Sequence, residues 1–144
     1  MPKIKTTPKG NETMFIEYNA NPIARNTEDC GIRAVAVALD ISWDEAFKML
    51  ADNARNMGDV MHSNAVIGSV LRQHGFYRAV IPNTCPDCYT IADFCRDHPQ
   101  GDYVVGTGSH VVAVINGNII DTYNSKDLIP LYFWYRKDVD NGKF

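Results

Sequence analysis

Length, composition and charge exclude several classes of protein. The chain has 144 residues, 45% of them hydrophobic and 10% aromatic, which is enough for one core. A formal net charge of −3, with 14 scattered Lys and Arg residues, argues against a protein that binds nucleic acid through phosphate contacts. No apolar run approaches the ~20 residues of a membrane helix, and the N-terminus lacks the apolar stretch of a signal peptide. We therefore expect a soluble cytoplasmic protein whose four cysteines are reduced.

The first third of the chain predicts an arm, a short strand and a buried helix. Residues 1–13 are polar and contain proline and glycine, so we expect a flexible arm before a single domain over residues 14–144. A strand is predicted over 15–18. Asp29 is suited to be a helix N-cap, and residues 30–40 predict a helix in which Arg33 is the only charge before its last residue. A helix so apolar on every face must be buried on nearly all sides.

The rest of the chain changes from helical to strand periodicity. Ser42 and Glu45 have the spacing of a capping box, which opens a helix to about residue 54, and a third helix is predicted over 64–74. Further along, the pattern predicts strands at 77–81, 103–106, 110–115, 118–123 and 129–135, with a short helix over 90–98. Helices followed by strands predict an α+β domain, with a small antiparallel sheet packed on the buried N-terminal helix.

Cys30 has the setting of an activated thiol. A cysteine is nucleophilic as its thiolate, and a helix N-terminus or a neighbouring imidazolium lowers the thiol pKa. Cys30 begins the predicted buried helix, and Gly31 leaves the backbone uncovered where a substrate carbonyl would approach. The Cys30 N–H lacks an acceptor within the helix, so it is available to stabilise an oxyanion.

His110 is the histidine best suited to pair with Cys30. It opens the most hydrophobic strand of the chain, directly after a segment that includes Gly108 and leaves room for a ligand. The following Asn116-Gly117 is a strong signal for a two-residue hairpin loop. With that loop, His110 pairs with Tyr123 and lies on the same face as Asp121, one diagonal step away. Asp121 would then orient the imidazole, which completes a nucleophile–base–orienter set.

These residues carry a resemblance to papain-superfamily cysteine peptidases. The run 29–31, leading into a helix of small residues, is similar to the nucleophile segment of the peptidase domains that trim bacteriocin leaders. The spacing of residues 29, 30, 33 and 34, with the later segments 110–114 and 121–125, also resembles small phage and prophage proteins. The likeness extends from Asn21 to about Tyr135.

The resemblance implies a papain-like fold and a cysteine hydrolase or acyltransferase (a peptidase, isopeptidase or deamidase) in a bacterial host. It implies Cys30 as nucleophile, His110 as general base and acid, and Asp121 as orienter. Papain relatives carry a Gln six residues before the nucleophile to complete the oxyanion hole, and this chain has Ala24 there. Asn26, or else Asn21 or Thr27, would have to supply that donor. The expected partner is a protein or peptide substrate, such as a host protein, and the expected state is a monomer or small homo-oligomer.

A second group of residues favours a different class of function. Cys85, Cys88, Cys95 and His98 are the donor types of a tetrahedral zinc site, although the gap between the two halves is shorter than in zinc fingers. They would staple a non-catalytic, phage-type accessory binding protein on the same scaffold. The first two cysteines also have the C-x-x-C spacing of redox proteins, without the rest of a thioredoxin-like pattern. Without this zinc, no cofactor is expected.

Overall fold

The computed structural model describes residues 14–82 and 88–136. These residues form an α+β arrangement of helices and a six-stranded sheet, as the sequence predicts at this coarse level. The predicted arm at 1–13 lies outside the described residues. The elements are β1 Phe15–Glu17, α1 Cys30–Leu39, α2 Trp43–Met57, α3 Asn64–Gln73, β2 Phe76–Val80, α4 Ile91–Asp97, β3 Asp102–Gly106, β4 Val111–Ile115, β5 Asn118–Asp121 and β6 Tyr132–Arg136.

The sheet is mixed, not antiparallel as the sequence analysis expects. Its strand order is β1-β5-β4-β3-β6-β2, and every neighbouring pair is antiparallel except β1 with β5. The parallel pair has Phe15 opposite Ile119 and Glu17 opposite Asp121. Strands joined by a tight hairpin must be antiparallel, whereas β1 reaches the sheet edge through a long connection that contains helices and is free to run parallel.

Helices cover both faces of the sheet. One core cluster combines buried residues of α1, α2 and α3 with Val104, Val111 and Trp134 of the sheet. A second cluster places Ile91 and Phe94 of α4 against the opposite face. Along β4 the side chains alternate between these faces, so the strand is buried on both sides, which explains its uninterrupted apolar sequence.

Helix α1 is surrounded by other elements along most of its length. It contacts α2, α3 and the sheet strands β3, β4 and β5. Its buried positions are Gly31, Arg33, Ala34, Val35, Ala36, Val37 and Ala38. At its start the approach to α3 is so close that a Cβ on Gly31 would lie 2.9 Å from Ile67 Cδ1. Small side chains therefore let the sheet and two helices approach α1 together.

Two local predictions can be compared with the structure. The capping box at Ser42 and Glu45 is confirmed, because each side chain bonds the other residue's backbone N–H. The last strand begins at Tyr132, three residues later than predicted. Pro130 has no N–H to donate to a sheet, so the segment before it cannot extend the strand ladder. No helix within the described part of the chain is both long and apolar enough to cross a membrane.

Candidate active site

Cys30 is the first residue of α1, and no side chain in the described part of the chain caps the N–H groups at this end of the helix. Asp29 occupies the N-cap position, as predicted, but its side chain makes no capping hydrogen bond. Within the described residues, the N–H groups of Cys30 and Gly31 have no hydrogen-bond acceptor. The positive end of the helix dipole and two backbone donors therefore remain available beside the Cys30 thiol.

The β4–β5 hairpin brings His110 to Asp121. Its loop is Asn116-Gly117, with positive φ at both residues, and Ile115 pairs with Asn118 as the sequence predicts. His110 immediately precedes β4 and Asp121 ends β5, so the antiparallel register places them at the same end of the sheet. His110 Nε2 lies 2.6 Å from Asp121 Oδ2.

The other side of the imidazole faces Cys30. Because Nε2 is engaged by Asp121, Nδ1 is the ring nitrogen left for the hydrogen bond between His110 and the Cys30 sulfur. Burial raises the pKa of the Cys30 thiol, but hydrogen bonds from His110 and from the Val111 N–H, with the charges of His110 and Arg33, outweigh it. The pKa of Cys30 is therefore below its usual value, as an activated thiol requires.

The pKa values of His110 and Asp121 are shifted in the directions that favour an ionised Cys30 thiol. Burial lowers the pKa of His110, but the hydrogen bonds to Asp121 and Cys30 raise it to about 9. Burial raises the pKa of Asp121, but hydrogen bonds from His110 and the Thr122 N–H, with the charge of Arg33, hold it below its ordinary value. At neutral pH His110 is therefore an imidazolium and Asp121 a carboxylate, and both states favour ionisation of the Cys30 thiol beside them.

A buried cluster of charges supports Asp121 from behind. Arg33 donates from Nε to Asp29 Oδ1 at 2.8 Å and from Nη1 to Asp121 Oδ1. Asp29 Oδ2 accepts from Trp43 Nε1 at 2.9 Å and from Asn21 Nδ2 at 3.2 Å. The Asp29 and Asp121 side chains are 4% and 2% exposed. Every one of these buried carboxylate oxygens is therefore bonded to a donor.

The backbone and one ring hold His110 in place. Thr107 Oγ1 accepts the His110 N–H at 3.0 Å, and the Thr107 N–H donates to the His110 carbonyl at 2.7 Å. The Tyr123 ring lies over the imidazole, with 5.1 Å between the ring centroids. His110 is thereby fixed by a tight turn on one side and an aromatic contact on the other.

A cleft of about 780 Å³ opens onto the thiol. Cys30, His110 and the three residues expected to contact the oxyanion or the substrate (Asn26, Gly31 and Gly108) all line it. A Cβ on Gly108 would meet no atom within 4 Å, so this rim is open. The other lining residues are Thr27, Glu28, Arg33, His62, Ser63, Asn64, Ile67, Thr107, Ser109, Val111, Thr122, Tyr123 and Tyr132.

The residues expected as oxyanion donors lie in different surroundings. Ala24 stands where papain relatives have Gln and adopts a φ of 55°, in a turn closed by its N–H on the Asn21 carbonyl. The Asn21 side chain donates to Asp29, so it is not directed to the cleft as a donor. Asn26 and Thr27 are both on the cleft wall. They remain the side-chain candidates, beside the amides of α1.

The proposed zinc ligands lie apart from this site. Cys85 falls outside the described residues. Cys88 is disulfide-bonded, so the expectation that all four cysteines are reduced is wrong for this residue, and its sulfur is not available as a thiolate ligand. Cys95 is a buried free thiol. The His98 Nδ1 lies 3.0 Å from the Phe94 carbonyl, and its ring stacks on Phe94. Among the described residues no group of three or more metal-ligating side chains occurs. The zinc site and the redox function of these cysteines stay predictions.

Sequence reasoning overlooked several residues of the site. It used Asp29 as a helix cap and both Asp29 and Arg33 in the resemblance, but it gave neither residue a role in the site. It named no role for His62, and this exposed residue lines the cleft. The signal available in the sequence was the single charge of Arg33 within a helix predicted to be buried, because a buried charge needs oppositely charged partners.

Comparisons with known proteins found no matching family model, no matching curated protein and no matching solved structure.

Proposed function

We propose that the protein is a cysteine hydrolase or acyltransferase of papain-like type, with Cys30 as nucleophile, His110 as base and acid, and Asp121 as orienter. The observation that carries this proposal is the continuous hydrogen-bonded line from the Cys30 sulfur through His110 to Asp121, at an open helix end and beside a cleft. A protein or peptide of the host is the proposed substrate, with peptide, isopeptide and glutamine-amide bonds all compatible with this chemistry.

The geometry supports the following reaction. The Cys30 thiolate attacks the carbonyl carbon, and the carbonyl oxygen becomes an oxyanion that the free N–H groups of α1 stabilise. His110 gives its Nδ1 proton to the leaving nitrogen, the C–N bond breaks, and a thioester remains on Cys30. Neutral His110 then takes a proton from water, and the resulting hydroxide attacks the thioester carbonyl. The C–S bond breaks, the carboxylic acid leaves, and the Cys30 thiolate and His110 imidazolium are restored. Asp121 keeps Nδ1 directed at the sulfur throughout.

Selective alkylation tests the nucleophile without knowledge of the substrate. Iodoacetamide near pH 6 should label Cys30 first, because the pKa of its thiol is lowered below the ordinary value. Cys95 is the matched internal control, since burial raises its pKa to about 12. Peptide mapping by mass spectrometry reads both sites, and His110→Gln should slow the Cys30 reaction about tenfold or more at this pH. Slow labelling of Cys30 at the pace of an ordinary thiol would refute the assignment.

Acyl transfer needs its own test. p-Nitrophenyl acetate should acetylate Cys30 with a burst of nitrophenol, followed by slower turnover as the thioester hydrolyses. The burst should be absent in Cys30→Ser, and intact-mass spectrometry should locate one acetyl group on Cys30. An activated thiol that labels with iodoacetamide but forms no acyl-enzyme would instead support the non-catalytic binding protein.

A further inference from the structure

We propose that Arg33 is a positioning residue of this site, which aims the Asp121 carboxylate at His110 and balances its charge. The inference rests on the proposed function, because it assigns a role toward the same three residues. Arg33 lies one helical turn beyond Cys30, and its side chain is 11% exposed. It contacts neither the sulfur nor the imidazole in any hydrogen bond that the structure describes, so it acts through Asp121.

The two oxygens of Asp121 have separate partners. Oδ1 accepts from Arg33 Nη1 and, at 2.7 Å, from the Thr122 N–H. Oδ2 is left to His110 Nε2 at 2.6 Å. Two donors on one oxygen fix the plane of the carboxylate, so that the other oxygen points at the imidazole. The fork of a guanidinium suits this task, because Nε is anchored at the same time on Asp29.

Charge gives Arg33 a second effect. Asp29 and Asp121 are two carboxylates near one thiolate, and both would oppose ionisation of Cys30 if they were unbalanced. Arg33 bonds to both and is the one fixed cation of this buried cluster among the described residues. The positive charge of Arg33 therefore allows the negatively charged Asp121 to orient His110 without opposing ionisation of Cys30.

The other charged and titratable groups around the thiol do not supply the positive charge that Arg33 places beside Asp121. Those on the elements around Cys30 and His110 are Glu28 and Asp29 before α1, His62 before α3, Asp121 at the end of β5, Tyr123 two residues after it, and Tyr132 on β6. Burial raises the pKa of both Tyr123 and Tyr132, and the charge of Cys30 adds to this at both phenols. The charge of Asp121 adds to it at Tyr123, so both phenols stay neutral. His62 is exposed and screened by solvent.

Two substitutions separate charge from hydrogen bonding at position 33. Arg33→Gln keeps amide donors but removes the cation, and Arg33→Lys keeps the cation but loses the fork. The measurement is the rate of Cys30 alkylation by iodoacetamide from pH 4 to 10. We expect the midpoint of the curve to rise by about one pH unit in Arg33→Gln and by under about 0.3 in Arg33→Lys. Arg55→Gln, which removes an exposed arginine of α2, is the matched control and should leave the curve unchanged.

The outcomes distinguish this inference from the proposed function. A wild-type midpoint near that of a free thiol refutes the proposed function itself. A low wild-type midpoint that Arg33→Gln leaves unmoved overturns the role of Arg33 alone. A low wild-type midpoint that rises in Arg33→Gln but not in Arg33→Lys supports both. An equal rise in the two variants overturns the charge-balancing role, because the lysine retains the cation.

A double variant keeps the test decisive if Arg33→Gln does not fold. Asp29→Asn combined with Arg33→Gln removes one negative and one positive charge, so the net charge of the cluster is the same as in the wild type. Asp121 nevertheless loses its cation. Circular dichroism checks that the double variant is folded. Its alkylation midpoint should still rise, because Asp121 is no longer aimed at His110, but by less than about one pH unit, because the loss of Asp29 offsets part of the lost positive charge. A folded double variant with the wild-type midpoint would overturn the role of Arg33.

Discussion

Replacing Asp121 by Asn tests the electrostatics of the site most directly. The pKa of His110 is about 9, against an ordinary value of 6.5. At about 1.4 kcal/mol per pH unit, this difference corresponds to roughly 3 kcal/mol in favour of the imidazolium, shared between Asp121 and Cys30. Burial acts in the opposite direction. An Asn retains the shape and a hydrogen bond but not the charge, so we expect the His110 pKa to fall by about 2 pH units.

The assay is a pH titration of the histidine ring signals by NMR. The chain has four histidines, and the His110 signal is identified by its loss in His110→Gln. In Asp121→Asn the His110 pKa should lie near about 7, so the ring is about half neutral at pH 7 and largely neutral at pH 8. Cys30 then loses its neighbouring cation at pH 8, and alkylation at that pH should slow several-fold. Asp127→Asn, an exposed carboxylate, is the matched control. A His110 midpoint near 6.5 in the wild type, or a change below about 0.5 pH unit in Asp121→Asn, would refute the reasoning.

Two further predictions concern stability. Gly106→Ala should lower the free energy of unfolding by about 3 kcal/mol in urea titrations, because its Cβ would lie 2.1 Å from the Tyr132 ring. Gly108→Ala is the matched control, with nothing within 4 Å, and a comparable loss there would contradict the packing argument. Burial raises the pKa of Asp29, but hydrogen bonds from Arg33, Asn21 and Trp43 hold it below the ordinary 3.8. Its contribution to stability is therefore present above about pH 4 and lost at lower pH, so unfolding free energy should fall less steeply between pH 4 and 2 in Asp29→Asn than in the wild type.

Local rules predicted the parts of the fold that local interactions decide. The hairpin register followed from Asn116-Gly117 and strand alternation, because a two-residue loop fixes which residues face each other. The partner and direction of β1 could not be predicted in this way. Phe15 pairs with Ile119, more than 100 residues later, and no turn chemistry specifies such a pairing.

In the candidate site too, local contacts could be predicted from the sequence and long-range contacts could not. The pairing of His110 with Asp121 was accessible because both residues belong to one hairpin. Arg33 was not recognised, since its partner Asp121 lies 88 residues away on another element. Asp29 was assigned as a cap by a rule that considers only the next few residues, whereas its side chain is bound by Asn21 and Trp43 in addition to Arg33.

The unused cap at Asp29 has a physical explanation if Cys30 is the nucleophile. A capping carboxylate would bind the first-turn N–H groups and would stabilise α1 by about 1 kcal/mol. It would also occupy the donors that an oxyanion needs and place a negative charge beside the thiolate. The bonds of Asp29 to Arg33, Trp43 and Asn21 turn that charge away from the helix end and balance it. A helix end that served only stability would use the cap. An open end with a neutralised acid behind it is what attack by a thiolate requires.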